Sequence, residues 1–175
     1  DRHVRGRRPR LICIRDRSVI RDLDTIDQEY DLVDLERYFN FQSSMDFFPV
    51  FRNKRFIPLV TSRGCPFKCT YCHDIFDKSI QYRSPEAVVN EIEYLIKVYG
   101  IREFHIVDDV FNVNMKRAKI VLDAIIKRNL NIHISFPNGL RADFCDDELI
   151  DKMRRAGVYR MALGIESGSQ RRQDM

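Results

Sequence analysis

No run of apolar residues in this chain approaches the roughly 18 that a membrane-crossing helix needs, and its opening stretch lacks the apolar core of a signal peptide. A cytoplasmic protein that does not cross a membrane is therefore expected. A strong charge surplus is also missing: 30 basic residues against 26 acidic ones leave +4, too little to indicate nucleic acid without a clustered patch. The five cysteines are an odd number, which argues against a disulfide framework in a chain with no secretory signal. What is present is ordinary for a globular fold. With 175 residues, 44% of them hydrophobic and 32% charged, one domain or one domain plus an arm is expected. Two large domains, a disordered tail and a fibre are excluded. The first residue is Asp1 and the stretch from Ser169 to Met175 has no terminating turn, so a piece of a longer protein is expected.

Residues 1–55 read as an irregular N-terminal arm or linker. Arg2, Arg5, Arg7, Arg8 and Arg10 come first, and an acidic stretch from Asp22 to Glu36 follows. No aromatic residues interleave with these arginines, so a solvated linker outweighs a nucleic-acid patch. Leu11 to Ile14 alternates like one strand, and Leu32 to Phe39 reads as a short helix. Neither makes a core alone.

From residue 56 to 175 strands and helices alternate. The strands are Ile57 to Thr61, Phe104 to Val107, Ile132 to Phe136 and Tyr159 to Ile165. A helix is expected from Pro85, with Ser84 as N-cap and Gly100 as the stop. A second runs from about Met115 to Arg128, and a third opens at Asp146-Asp147-Glu148 and ends at Gly157. Such βα repeats force parallel strands covered by helices. Four strands do not close an eight-stranded barrel, which leaves an open doubly wound sheet or the first part of a larger barrel. Both put their active site at the C-terminal strand ends, where Cys65 to Cys72, Asp108 and Asp109, Asn138 and Arg141, and Glu166 and Ser167 fall in turn.

Three cysteines lie within eight residues, Cys65-Pro66-Phe67-Lys68-Cys69-Thr70-Tyr71-Cys72. Thiolates at such spacing reach several corners of an iron–sulfur cluster. Three ligands leave a fourth iron open to a small molecule, as an open position distinguishes catalytic metals from structural ones. Zinc held by these cysteines and His73 is the competing reading, but adjacent Cys72 and His73 would have to bend onto one ion. A redox pair at Cys69 and Cys72 leaves Cys65 unexplained. Cys13 and Cys145 read as small buried residues, and His105 and His133 as packed strand histidines.

The stretch Thr61 to Cys72, with its C-x3-C-x2-C spacing and an aromatic residue before the last cysteine, closely resembles the signature loop of radical S-adenosylmethionine (SAM) enzymes. Gly164 to Ser169 extends the likeness. From about 56 to 170 the wording is most similar to the subgroup that carries an N-terminal cobalamin-binding domain, and Leu23 to Leu32 resembles the linker between those domains. The resemblance implies an α/β fold of parallel (β/α) repeats: part of a partial TIM barrel, four incomplete βα units long. It also implies a 4Fe-4S cluster on Cys65, Cys69 and Cys72, and reductive cleavage of S-adenosylmethionine to a 5′-deoxyadenosyl radical. That radical serves C–H activation or methyl or sulfur transfer on an unassigned small or macromolecular substrate, with flavodoxin or ferredoxin as electron donor. The alternative is a non-catalytic zinc or iron–sulfur module.

Further positions follow from the resemblance. Tyr71 matches the aromatic position near the adenine, with packing on the barrel rim as its other reading. The family's Gly-Gly-Glu is replaced by Val107-Asp108-Asp109. Asp109 falls at the glutamate that contacts the methionine amino group, and Asp108 stands beside it as a further binding candidate, a helix cap or a solvated side chain. Glu166 and Ser167 match the motif near the ribose and carboxylate, with turn residues as the alternative. Arg141 is placed near that carboxylate, or else on the surface. Cobalamin is expected only in a longer parent. Asp1 to Gly6 fits D-x-H-x-x-G, but about 50 residues before the core are too few for a domain that surrounds a corrin.

Overall fold

The computed structural model describes residues 20–26, 29–44, 51–69, 71–72, 78–165, 167–169 and 171. The expected strand at Leu11 to Ile14, the arginine arm, and the readings of Cys13, His73 and Glu166 lie outside the described residues.

Four parallel strands form the main sheet in the order β1 (Phe56–Leu59), β4 (Glu103–Ile106), β5 (His133–Leu140) and β6 (Val158–Leu163). Between β1 and β4 a small antiparallel hairpin, β2 (Ser62–Arg63) with β3 (Gln81–Tyr82), brackets the cysteine segment. The helices are α1 (Leu35–Ser44), α2 (Pro85–Tyr99), α3 (Met115–Lys127) and α4 (Asp147–Ala156). Strand order follows chain order, and α2 packs on α3 as α3 packs on α4. A doubly wound sheet would reverse its strand order and separate its helices onto two faces. The arrangement is therefore barrel-like, and this long-range order settles the choice that the βα pattern alone left open.

The helices begin and end where their caps dictate. Ser84 Oγ accepts from Ala87 N at 3.1 Å, Asn114 Oδ1 from Arg117 N at 3.0 Å, and Asp146 Oδ1 from Leu149 N at 2.8 Å. Gly157 ends α4 at φ 95°, where an added Cβ would lie 2.0 Å from Ile132 O. Only glycine fits there. Strand β1 stops at Leu59, two residues before its expected end, and holds Pro58 without loss because it is a sheet edge.

The period of two sorts the strands onto two faces. Ile57, Leu59, Phe104, Ile106, Ile134 and Phe136 are buried in one core with Val88, Val89, Ile92 and Leu95 of α2, Val121, Leu122 and Ile125 of α3, and Leu149 and Met153 of α4. On the opposite face Glu103 aligns with Phe56 and His133, and His105 with Pro58 and Ser135.

The N-terminal segment joins this body. Leu35 and Phe39 of α1 belong to the same core, the Arg55 guanidinium lies 4.5 Å over the Phe39 ring, and Tyr30 packs on Tyr94 and Tyr99. The helix expected at Leu32 to Phe39 starts instead at Leu35, because Tyr30–Leu32 takes a separate 3-10 turn.

Candidate functional site

The described residues of the cysteine loop, 64–69, 71–72 and 78–80, fall between β2 and β3 in the chain, past the C-terminal end of β1. Its two ends are tied together. Arg83 N donates to Thr61 O at 3.0 Å, and Arg63 Nε donates to Gln81 Oε1 at 2.7 Å. The buried Arg117 side chain of α3 reaches both ends from below: Nη2 donates to Thr61 O at 2.7 Å and to Arg83 O at 3.0 Å, and Nε to Arg83 O at 3.1 Å. Its guanidinium also lies 5.0 Å over the Tyr82 ring. Burial lowers the Arg117 pKa and the Asp108 charge opposes that shift; an arginine remains a cation here. A planar fork suits two carbonyls at once.

Asp108 is only 3% exposed. Its carboxylate accepts from Thr61 N at 2.6 Å, from Thr61 Oγ1, and from Ser62 Oγ at 2.7 Å. Asp108 is thus neither solvated nor a helix cap, and the cap of α3 is Asn114. The neighbouring Asp109 Oδ2 accepts from Gly64 N at 2.7 Å, the residue before the first cysteine of the loop. Gly64 adopts φ 89°, a turn that glycine makes without strain.

Cys65 and Cys69 are half-buried and Cys72 is exposed; all three are free thiols. Cys72 N donates to Cys69 O at 3.1 Å, a backbone turn that links the second and third cysteines. Arg141, just past β5, covers the other side. Its guanidinium lies 4.1 Å over the ring of Phe67 and donates to both oxygens of Asp143 at 2.9 and 2.6 Å. The Asp143 carboxylate raises the Arg141 pKa, burial opposes this, and the charges of Cys69 and Cys65 add smaller upward contributions. Arg141 in turn holds the Asp143 carboxyl below its usual range.

The fold thus brings Cys65, Cys69, Asp109 and Arg141 to one end of the sheet, with Asp108 beneath them. Tyr71 is 72% exposed. Asn138 Nδ2 donates to Val107 O at 2.9 Å, joining the ends of β4 and β5. Ser167 lies beyond β6, its N donating to Ile165 O and its Oγ accepting from Ser169 N. Among the described residues no group of three His, Cys, Asp or Glu side chains is arranged around a single metal ion. A cubane makes a different demand, since each thiolate takes a separate iron, and three thiols on one loop fit that donor set. The packing reading of His105 matches the structure: it stacks on Phe56 at 4.2 Å and bonds Glu103 at 3.0 Å.

Sequence reasoning missed Arg117 and the hairpin. The partners of Arg117 lie 34 and 56 residues away, and two-residue strands carry no period to read.

A parallel sheet wound in chain order, with a three-cysteine loop after its first strand, defines the class. The Radical SAM superfamily model matches residues 59–175, and the chain belongs to that superfamily. Among its relatives is the anaerobic magnesium-protoporphyrin IX monomethyl ester cyclase of Rubrivivax gelatinosus, 29% identical over 89% of this chain and 27% of the relative. Another is the cytidylyl-2-hydroxyethylphosphonate methyltransferase of Streptomyces wedmorensis, 34% identical over 78% of this chain and 25% of the relative. The chain spans about a quarter of the length of these relatives. The fold is shared with the radical S-adenosylmethionine methyltransferase TsrM of Kitasatospora setae, solved with cobalamin and a [4Fe-4S] cluster bound. That likeness has a TM-score of 0.56 at 23% identity, over 62% of this chain and 22% of the methyltransferase. No described helix is long and apolar enough to cross a membrane.

Proposed function

We infer that this chain forms the cluster-binding part of a radical SAM enzyme, with Cys65, Cys69 and Cys72 as ligands of a 4Fe-4S cluster. The observation that carries the reading is three free thiols on one stapled loop at the C-terminal end of a parallel sheet, with Asp109 holding the start of the loop and Arg141 near its first two thiols. Held by these three cysteines and reduced by an external one-electron donor, such a cluster would supply the electron that splits S-adenosylmethionine into methionine and a 5′-deoxyadenosyl radical.

The chain's own residues bind and orient. Asp109 fixes the start of the loop through Gly64 and is the candidate partner of the methionine amino group. Arg141 holds positive charge beside Cys65 and Cys69 and is the candidate partner of the carboxylate. Tyr71, exposed on the loop, is the candidate surface for the adenine, and Glu166 and Ser167 are assigned to the nucleoside side. Asp108 supports the site from below by holding Thr61 and Ser62.

For the whole protein the proposed reaction is C–H activation or methyl or sulfur transfer, in keeping with the cyclase and methyltransferase relatives. A corrinoid and a flavodoxin- or ferredoxin-type donor belong to the same proposal. Anaerobic reconstitution followed by iron, sulfide and zinc analysis tests it, with methionine and 5′-deoxyadenosine measured after reduction. About four irons and four sulfides per chain are expected for a cubane. One zinc without sulfide would falsify the reading in favour of a non-catalytic metal module.

A further inference from the structure

The geometry points to Asn112 as a positioning residue for the cysteine loop, acting through a platform of Arg141 and Phe144 on which Phe67 rests. This rests on the reading of the three cysteines as cluster ligands.

Asn112, in the connection between β4 and α3, is fully buried, and both ends of its amide are used. Oδ1 accepts from Arg141 N at 3.1 Å. Nδ2 donates to Arg141 O at 2.7 Å and Phe144 O at 3.0 Å, and contacts Cys145 Sγ at 3.3 Å. All these partners belong to the turn that follows β5. That turn holds one 3-10 helix of three residues, Ala142–Phe144, whose local bonds are Phe144 N to Arg141 O and Cys145 N to Ala142 O, both 3.2 Å. So short a helix does not hold its shape unaided. Asn112 supplies the missing support and joins it to the neighbouring strand.

What the turn presents is aromatic and cationic. Phe144 meets Phe67 with ring centroids 5.9 Å apart, and the guanidinium of Arg141, held by Asp143, lies 4.1 Å over the same ring. Phe67 sits between Cys65 and Cys69. The loop is therefore stapled at its base by Arg117 and steadied at its first cysteine pair by this platform. Three thiolates must reach three corners of one cluster, so the direction of that pair matters. The bonds of the Asn112 amide all go to the turn, so its effect on the thiols runs through the platform.

The test uses the intact protein with Asn112→Asp and Asn112→Ala. The aspartate keeps the size and the acceptor but turns a carboxylate oxygen toward two carbonyls. Tryptic cleavage after the exposed Lys68 of the apo form is expected to speed up roughly tenfold, which corresponds to about 1.4 kcal/mol. Other cleavage sites should change by about twofold at most, and the melting temperature should fall by only a few degrees, the cost of the buried partners left unpaired. Reconstituted iron and sulfide should fall below half of wild type, and the electron paramagnetic resonance lines of the reduced cluster should change. Cleavage after Lys68 within twofold of wild type in both variants overturns the inference. So does acceleration at every site alike, or faster cleavage with wild-type cluster loading and spectrum. Wild-type protein that takes up no iron and sulfide overturns the ligand reading itself, and the inference falls with it.

Discussion

At the N-terminal end of the sheet, Glu103 is fully buried and accepts hydrogen bonds from Tyr159 Oη and Asn53 N, with His105 Nε2 at 3.0 Å. Phe51 and Phe56 cover that histidine. At the C-terminal end, Asp109 and Arg141 hold a loop whose thiols are half-buried or exposed. One end pairs Glu103 with Tyr159 and His105 and closes; the other aims its polar groups at a loop and stays accessible. Barrel-type folds divide stability and chemistry between strand ends in the same way. The comparison teaches that a buried carboxylate in this fold is no sign of chemistry unless it lies at the loop end.

Cys69→Ala breaks the accessible end most completely. Iron and sulfide uptake should vanish, while Cys145→Ala, at a thiol whose pKa burial raises, should leave uptake intact. Equal loss from both would end the division. Glu103→Leu attacks the closed end instead. It leaves the Tyr159 hydroxyl and Asn53 N–H without an acceptor, which should cost about 3 kcal/mol in urea unfolding with cluster uptake preserved. A cost below about 1 kcal/mol counts against the closed polar cluster. Arg117→Lys sharpens the contrast, because a point charge does not bridge two carbonyls. About 1–2 kcal/mol of stability should be lost, together with part of the cluster loading.

The smallest effect is on pH. Burial lowers the His105 pKa, with Arg160 adding to the shift and Glu103 opposing it. The unfolded chain then binds the extra proton first, so stability falls as pH drops from about 7 through the unfolded histidine value. The slope is at most about 1.4 kcal/mol per pH unit. His105→Phe should flatten that slope in urea titrations between pH 7 and 5, and an unchanged slope would assign it elsewhere.

Local signals made much of the fold legible. Ser84 with Pro85, Asp146, and the glycines at 100 and 157 mark helix ends through contacts within five residues. Strand order was not legible, since pairing Phe104 with Ile134 leaves no trace in spacing. At the site, the spacing of the thiol triplet is legible because its members are near neighbours in the chain, whereas the bond that Asp109 accepts from Gly64, 45 residues away, is not. Asn112 and Arg117 are not: each reads as an ordinary polar residue, and its partners are 29 or more residues away.

The staple at Thr61 and Arg83 makes the cysteine loop a cassette. Because one guanidinium grips both of its ends, added length between Cys72 and β3 does not pull on the sheet. It costs only about 0.6 kcal/mol of closure entropy for each doubling. Foreign segments grafted there should leave the scaffold's melting point nearly unmoved, so the loop is free to diverge in length while the walls around it stay put.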